Sequence, residues 1–164
     1  DHFKEINDNF GQEYGDFVLK KSAECISGCI SEGQKVYKLV ADEFLILDVS
    51  SDEAKDADKL YDKVREAIDR FIETNEFKVM YTVSGGIVPF AALKGNQCSE
   101  ALKLTDFALN EAKKLGRNRC YIFNGETYRK FLRKREITQE LREAILTLQC
   151  LESLHTKFLI CRRI

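Results

Sequence analysis

The stretch from Lys35 to Asp48 constrains the fold most, because it has the composition of two short strands joined by an acidic turn. β-Branched and aromatic residues, which favour strands, lie on both sides of the adjacent carboxylates Asp42 and Glu43. Two neighbouring carboxylates at the tip of a hairpin cannot both be buried, so the stretch predicts a polar tip that faces solvent. Such a pair is either a plain acidic turn or a source of oxygen ligands for a divalent cation.

Length and composition limit the class of protein. A chain of 164 residues fits one domain with room for an appended helix, and 44% hydrophobic with 32% charged residues is typical of a folded globular protein. The net charge of -1 gives no reason to expect a nucleic-acid partner. No apolar run has the length of a membrane span and no signal-peptide pattern opens the sequence, so we expect a cytoplasmic chain without direct membrane insertion.

Six cysteines occur without any C-x-x-C pattern. Cys25 and Cys29 are one helical turn apart, a spacing that fits small apolar residues packed on one helix face better than a metal site. The cysteine pattern therefore predicts a reduced protein.

Hydrophobic periodicity predicts helices alternating with strands. Apolar residues recur at helical spacing near 16–30, 52–72, 99–115 and 126–148. Strand-like runs are Phe77–Val83, Cys120–Phe123 and Lys157–Ile164. The resulting order of helix, hairpin, helix, strand, helix and strand predicts an α/β fold in which helices pack on one mixed sheet.

Three local signals refine this prediction. Asp16 follows a glycine and is expected to be the N-cap of the first helix. Gly85 and Gly86 indicate a bulge or a close approach of two backbone segments. Gly116 is expected to end the third helix as its C′ residue.

Four blocks of sequence, in order and at plausible spacing, match the pattern of one known family. They are Asp1–Asp8 followed by Gly15-Asp16, Val40–Phe44, Thr82–Ile87, and Asp106–Leu109 with Ala112-Lys113 and Gly116–Asn118. Together these blocks resemble the signatures of GGDEF domains, the diguanylate cyclases of cyclic di-GMP signalling.

The resemblance implies a ferredoxin-like palm related to nucleotide cyclases, an α/β (α+β) fold with a mixed sheet and helices packed on it. The family domain would occupy residues 1–124, and residues 125–164 would form a linker helix and a terminal strand. The helix resembles the linker that leads into EAL phosphodiesterase domains. The strand Lys157–Ile164 then either begins a following domain or completes the sheet of this one.

The resemblance also implies roles for six residues. Asn7 and Asp16 would bind guanine, and an amide and a carboxylate do suit the donors and acceptors of that base. Lys113 and Arg117 would bind phosphate groups of GTP. Asp42 would bind Mg²⁺ and, with Glu43, serve catalysis. The alternative roles are structural: a loop asparagine, a helix-capping aspartate and a solvated basic helix end.

The chain departs from the family pattern at three places. Val40-Ala41 replaces the two glycines, whose backbone tolerates positive φ and lets a nucleotide come close. The first metal-binding aspartate of the family would fall two residues before Asp1. The inhibitory Arg-x-x-Asp motif would fall on Ser31 and Gln34, so product feedback through that motif is not expected.

These departures favour a degenerate GGDEF domain that binds GTP, with Mg²⁺ accompanying the nucleotide. Such a domain would regulate a neighbouring EAL or sensory domain, or act in a homodimer, with little or no cyclase activity. Two alternatives stay open: an active diguanylate cyclase that condenses two GTP into cyclic di-GMP, and a dimerisation module that binds no nucleotide.

Overall fold

The computed structural model describes residues 1–50, 54–74, 80–93 and 98–152. The chain divides into two units, Asp1–Phe123 and Asn124–Ile164. The first unit contains both sheets and four α-helices of the described ranges, and the second contains one long helix.

The elements follow one another in the order expected from the sequence, except that a further helix, Phe3–Phe10, precedes the first expected one. They are α1 (Phe3–Phe10), α2 (Gln12–Cys29), β1 (Gln34–Lys38), β2 (Phe44–Asp48), α3 (Ala54–Thr74), β3 (Gly85–Ile87), a 3-10 turn (Phe90–Ala92), α4 (Cys98–Lys114), β4 (Cys120–Ile122) and α5 (Gly125–Glu152). None of the helices in the described ranges combines the length and the apolar character needed to cross a membrane.

The strands form two separate pairs within the part of the chain that the structure describes. β1 and β2 form an antiparallel hairpin in which Val36 lies opposite Ile46. β3 and β4 pair in parallel, with Gly86 opposite Tyr121. The described part thus holds an antiparallel and a parallel sheet of two strands each, where the sequence predicted one mixed sheet.

The core lies between the helices and the inner face of the hairpin. Helix α3 buries an unbroken i, i+4 stripe, as its amphipathic pattern predicts. The buried apolar residues of this cluster are Ile6, Val18, Ile26, Leu60, Val64, Ile68, Ile72 and Tyr81, and Val36, Phe44 and Ile46 of the hairpin pack against them. Cys25 and Cys29 also pack here, with their thiols directed at backbone carbonyls of α3.

The start of the first long helix differs from the prediction. Helix α2 begins at Gln12 and runs through Asp16, so the prediction that Asp16 is an N-cap is wrong. The break falls instead at Gly11, whose φ of 82° ends α1 while its N–H donates to the carbonyl of Asn7 at 2.9 Å. A glycine takes this conformation without steric cost, so Gly11 separates the two helices.

The strand expected at Phe77–Val83 also differs. Residues 75–79 lie outside the described residues, Met80–Ser84 carry no strand pairing, and pairing begins at Gly85. The strand expected at Lys157–Ile164 likewise lies outside the described residues.

Two glycine predictions are confirmed. A Cβ atom added to Gly86 would lie 2.4 Å from the backbone nitrogen of Leu109, so β3 and α4 approach backbone to backbone. Gly116, with φ 116°, follows α4 as its C′ residue. The N–H of Arg117 reaches the carbonyl of Ala112 at 3.2 Å, which is the pattern of a Schellman cap.

Candidate functional site

The hairpin tip presents its two carboxylates to solvent. The N–H of Glu43 donates to the carbonyl of Val40 at 3.0 Å, and the N–H of Leu39 donates to the carbonyl of Glu43 at 2.9 Å. These two bonds close a turn in which Asp42 and Glu43 are both exposed. The tip therefore has the polar, solvent-facing form that the sequence predicts.

Ala41 occupies the left-handed region of the backbone map, with φ 52°. This conformation costs a residue with a Cβ atom about 1–2 kcal/mol, whereas glycine adopts it freely. The Lys38 ammonium group donates to the Ala41 carbonyl and also lies 5.1 Å from the centre of the Phe44 ring. The turn thus keeps a conformation suited to glycine although glycine is absent.

A cavity of about 760 Å³ begins at this tip and runs between β2 and residues 81–90. Its polar lining includes Asp1, Asp42, Glu43 and Lys113. The rest of the lining is mainly apolar and comes from β2, α3, α4 and the segment around β3. The structure therefore brings the two tip carboxylates and one expected phosphate-binding lysine to one cavity.

Asp1 is tied to the cavity wall by three hydrogen bonds. Its backbone nitrogen donates to the Thr82 carbonyl at 2.8 Å, and its Oδ2 accepts from Thr82 Oγ1 at 3.1 Å and Ser84 Oγ at 2.7 Å. Its other oxygen, Oδ1, is buried without a hydrogen-bond partner in the described part of the chain. Sequence reasoning missed this contact, although Thr82 and Ser84 stand two apart, the spacing that puts side chains on one face of an extended segment.

Electrostatics place Arg117 in the same neighbourhood. Burial lowers the pKa of the Asp1 amino group; the Asp42 carboxylate opposes this lowering, and Lys113 and Arg117 add to it. Asp42, Lys113 and Arg117 therefore all lie within electrostatic range of the Asp1 nitrogen.

Lys113 and Arg117 are four residues apart at the C-terminal end of α4. Lys113 belongs to the last turn of α4, and Arg117 follows Gly116 with φ 61°. The neighbouring Asn118 also has a positive φ, of 48°. The helix end and this left-handed loop together fix the position of both cations.

Asn7 belongs to α1 and Asp16 to α2, and neither lines the cavity described above. Asn7 Oδ1 is buried and has no hydrogen-bond partner in the described ranges. It lies 1.8 Å from where a Cβ atom of Gly15 would stand, so Gly15 makes room for the amide. Asp16 is exposed on α2.

Ser31 and Gln34, where the family's product-inhibition motif would fall, form hydrogen bonds with each other. The Ser31 backbone N–H and its hydroxyl both donate to Gln34 Oε1, at 2.9 and 3.2 Å. Neither residue carries a charge, and the contact closes the turn before β1.

The described residues contain no group of three or more His, Cys, Asp or Glu side chains that could hold a metal ion. Asp42 and Glu43 alone are therefore not a complete Mg²⁺ site, since Mg²⁺ requires near-octahedral coordination. The assignment of Mg²⁺ to Asp42 stays a prediction.

Comparison with known proteins points to a single family. The family model for the diguanylate cyclase GGDEF domain matches residues 1–119. The chain is 30% identical over 146 residues to the cyclic di-GMP phosphodiesterase NbdA of Pseudomonas aeruginosa, covering 88% of this chain and 18% of NbdA. It is 32% identical over 129 residues to the probable diguanylate cyclase DgcT of Escherichia coli, covering 74% of this chain and 27% of DgcT.

Solved structures agree with the fold. The GGDEF domain of TpbB (YfiN) from Pseudomonas aeruginosa matches with a TM-score of 0.66 at 23% identity, over 80% of this chain and 77% of that one. The active GGEEF domain of a diguanylate cyclase from Vibrio cholerae matches with a TM-score of 0.57 at 27% identity, over 76% of this chain and 78% of that one.

These structures confirm the predicted fold class, a nucleotide-cyclase-like arrangement of helices around mixed strands. The chain spans about a fifth to a quarter of the length of NbdA and DgcT, at 18% and 27%. Its family nevertheless follows from a model match that covers most of the sequence: the chain belongs to the GGDEF domain family of cyclic di-GMP signalling.

Proposed function

We propose that this is a degenerate GGDEF domain that binds GTP and regulates a neighbouring domain, and that it makes little or no cyclic di-GMP. The observation that carries the proposal is the hairpin tip, where Val40 and Ala41 stand in place of the family's two glycines. Residues suited to guanine and phosphate are retained elsewhere in the domain, at Asn7, Asp16, Lys113 and Arg117.

The altered tip opposes catalysis more than binding. The Val40 side chain is 76% exposed at the place where family members offer bare backbone to the nucleotide. A branched side chain there moves the reacting phosphate away from its partner, and a displacement of about 1 Å can cost on the order of a hundredfold in rate. Contacts to the base and the terminal phosphates do not depend on that alignment.

The cluster of Lys113, Arg117 and Asp42 supports the nucleotide assignment. Two cations at the end of α4 offer a point charge and a planar fork to a triphosphate. Because the described carboxylates do not make a complete metal site, we propose that Mg²⁺ enters with GTP and takes its remaining oxygen ligands from the phosphates.

The proposed regulatory role rests on the activities that the names of two similar proteins give. NbdA is a cyclic di-GMP phosphodiesterase and MucR of Pseudomonas aeruginosa is a bifunctional cyclase and phosphodiesterase, and this chain is 28% identical to MucR over 145 residues. Both matches extend over 88% of this chain, beyond the residues of the family model. We therefore propose that α5 links the domain to a following EAL phosphodiesterase domain, with GTP bound in the first domain as the signal.

A calorimetric titration with GTP, with and without Mg²⁺, tests the binding. We expect saturable binding that Mg²⁺ strengthens, and a loss of about tenfold or more when Lys113→Ala removes a charged hydrogen-bond donor. Lys103→Ala, an exposed lysine on the same helix, is the matched control and should bind like the wild type. Absence of GTP binding by the wild-type protein would favour the nucleotide-free dimerisation module.

Chromatography of reactions with GTP and Mg²⁺ tests the activity. We expect little or no cyclic di-GMP from the wild type or from the double variant Val40→Gly, Ala41→Gly. Product from the double variant is expected only in a chain that carries the family's metal-binding aspartate two residues before Asp1. Robust product formation by the wild type would contradict the proposal and favour an active cyclase.

A further inference from the structure

Three consecutive residues after α4 have a positive φ: Gly116 (116°), Arg117 (61°) and Asn118 (48°). Glycine adopts such angles freely, whereas a residue with a Cβ atom takes them only at a steric cost. Backbone strain of this kind persists where the surrounding structure holds it, and it is concentrated at sites that bind ligands. The segment that joins α4 to β4 therefore holds two strained residues in succession.

Both ends of this segment are fixed by backbone hydrogen bonds. On the side of α4, the N–H of Arg117 donates to the carbonyl of Ala112 at 3.2 Å. On the side of the parallel sheet, the N–H of Gly85 donates to the carbonyl of Arg119 at 3.0 Å. Only residues 115–119 join the end of α4 to the start of β4, so the chain must turn sharply between two fixed points.

The Arg119 side chain adds a tether inside the turn. Its Nε donates to the carbonyl of Arg117 at 3.3 Å. Its Nη2 lies 3.7 Å from where a Cβ atom of Gly116 would stand, so the guanidinium group lies against the turn. The backbone of Arg119 is bonded to β3 and its side chain is bonded to Arg117. The backbone of Arg117 is therefore held in place relative to the sheet.

The strain falls on one of the two cations to which the proposed function assigns the phosphates. A glycine at position 117 would take the φ of 61° without cost, but it would carry no positive charge. A guanidinium group binds phosphate well only when its planar fork has the right orientation. An arginine in this conformation therefore gives up stability and gains a fixed direction for its charge.

We propose that Asn118 and Arg119 are positioning residues, which hold the Arg117 guanidinium group where it meets the phosphates of GTP beside Lys113. The inference rests on the proposed function, in which Arg117 and Lys113 bind these phosphates. Asn118 is of a residue type that tolerates the left-handed region, so it lets the turn continue past Arg117. Arg119 fixes the carbonyl of Arg117. Both act through the backbone of Arg117.

A calorimetric titration with GTP and Mg²⁺ tests the role of Asn118. Asn118→Val puts a β-branched residue in the left-handed region, so the turn and Arg117 must move, and we expect binding to weaken by about tenfold or more. Asn118→Gly accepts the same φ without strain and should bind within about twofold of the wild type. Asn110→Val changes an exposed asparagine inside α4 and is the matched control, expected to bind like the wild type.

The same titration in an Arg117→Ala background separates positioning from direct binding. Asn118→Val should cause no further loss of affinity there, because the guanidinium group that it positions is gone. Arg119→Lys keeps the charge and removes Nε, so it should weaken GTP binding only when Arg117 is present. Additive losses, or wild-type affinity of Asn118→Val, would overturn this inference and leave GTP binding intact. A wild type that binds no GTP would overturn the proposed function and the inference together.

Urea unfolding measures the strain without any nucleotide. Arg117→Gly should unfold at a higher urea concentration than Arg117→Ala, since both lack the guanidinium group and only glycine relieves the left-handed conformation. Equal midpoints would contradict the strained turn and overturn the inference. Where Asn118→Val does not fold, Asn118→Ala replaces it as the milder change, expected to unfold cooperatively and to weaken GTP binding in the same direction. Wild-type affinity of that folded variant would also overturn the inference.

Discussion

The backbone of Gly86 lies so close to that of Thr105 that a Cβ atom on Gly86 would stand 2.6 Å from the Thr105 carbonyl oxygen. Strand β3 and helix α4 therefore touch without any side chain between them. This contact holds the strand that lines the cavity and the helix that carries Lys113 in a fixed relation.

The first prediction concerns Gly86. Gly86→Ala should lower the free energy of unfolding by about 3 kcal/mol or more, because backbone atoms of a helix cannot move aside at small cost. Gly28→Ala is the matched control, since a Cβ atom there meets nothing within 4 Å and alanine favours a helix by about 0.5–1 kcal/mol. Urea unfolding of the two variants measures both; equal effects would contradict the close approach.

The second prediction concerns Ala41. Ala41→Gly should raise the free energy of unfolding by up to about 1 kcal/mol, since glycine takes the φ of 52° without steric cost. Ala23→Gly, inside α2, should lower it by about 0.5–1 kcal/mol. Thermal unfolding of both variants shows whether their changes in the free energy of unfolding have opposite signs. Destabilisation by both substitutions would refute the left-handed conformation at the tip.

The third prediction concerns the buried pair of Ser22 and Tyr81. Their hydroxyl oxygens lie 2.9 Å apart, and Ser22 Oγ also donates to the Val18 carbonyl at 2.8 Å. Ser22→Ala leaves the Tyr81 hydroxyl without this partner and should cost about 1–3 kcal/mol, whereas Tyr81→Phe should cost about 1 kcal/mol. The double variant should cost less than the sum, and a double-mutant cycle that shows no coupling would exclude the hydrogen bond.

The fourth prediction concerns Cys120. Burial, with the hydrogen bond to Asp58 at 2.6 Å and the charge of that carboxylate, raises the pKa of Cys120 to about 12. The folded state therefore keeps the proton between pH 9 and 12 while the unfolded state releases it, so the stability that Cys120 contributes is present below about pH 9 and is lost as the pH rises through this window.

Alkylation at pH 8 followed by mass spectrometry measures this thiol directly. Modification of Cys120 should be much slower than that of the exposed Cys98. Asp58→Asn should speed the reaction at Cys120, and Asp106→Asn, an exposed change on α4, should not. Equal rates at Cys98 and Cys120 in the wild type would contradict the raised pKa.

Local patterns predicted the helices and the hairpin well, because each depends on short-range periodicity. The i, i+4 stripe of α3 and the C′ position of Gly116 both follow from spacing alone and are confirmed. Asp16 failed as a cap since an equally good helix breaker, Gly11, stands five residues earlier. Sequence alone does not show which of two nearby helix-breaking residues marks the start of a helix.

Long-range contacts were harder to predict. The hydrogen bonds from Thr82 and Ser84 to Asp1 join residues more than 80 positions apart, and no periodicity reports such a pairing. No local pattern in the sequence indicated that the described strands form two separate pairs. The expected site residues came from resemblance, and their roles in binding stay predictions.

The turn at Ala41 determines what a single substitution at the tip changes. The backbone there already has the shape that glycine would adopt, held by hydrogen bonds on either side of the turn. A glycine at position 41 would therefore fit the hairpin without a change in the path of its backbone.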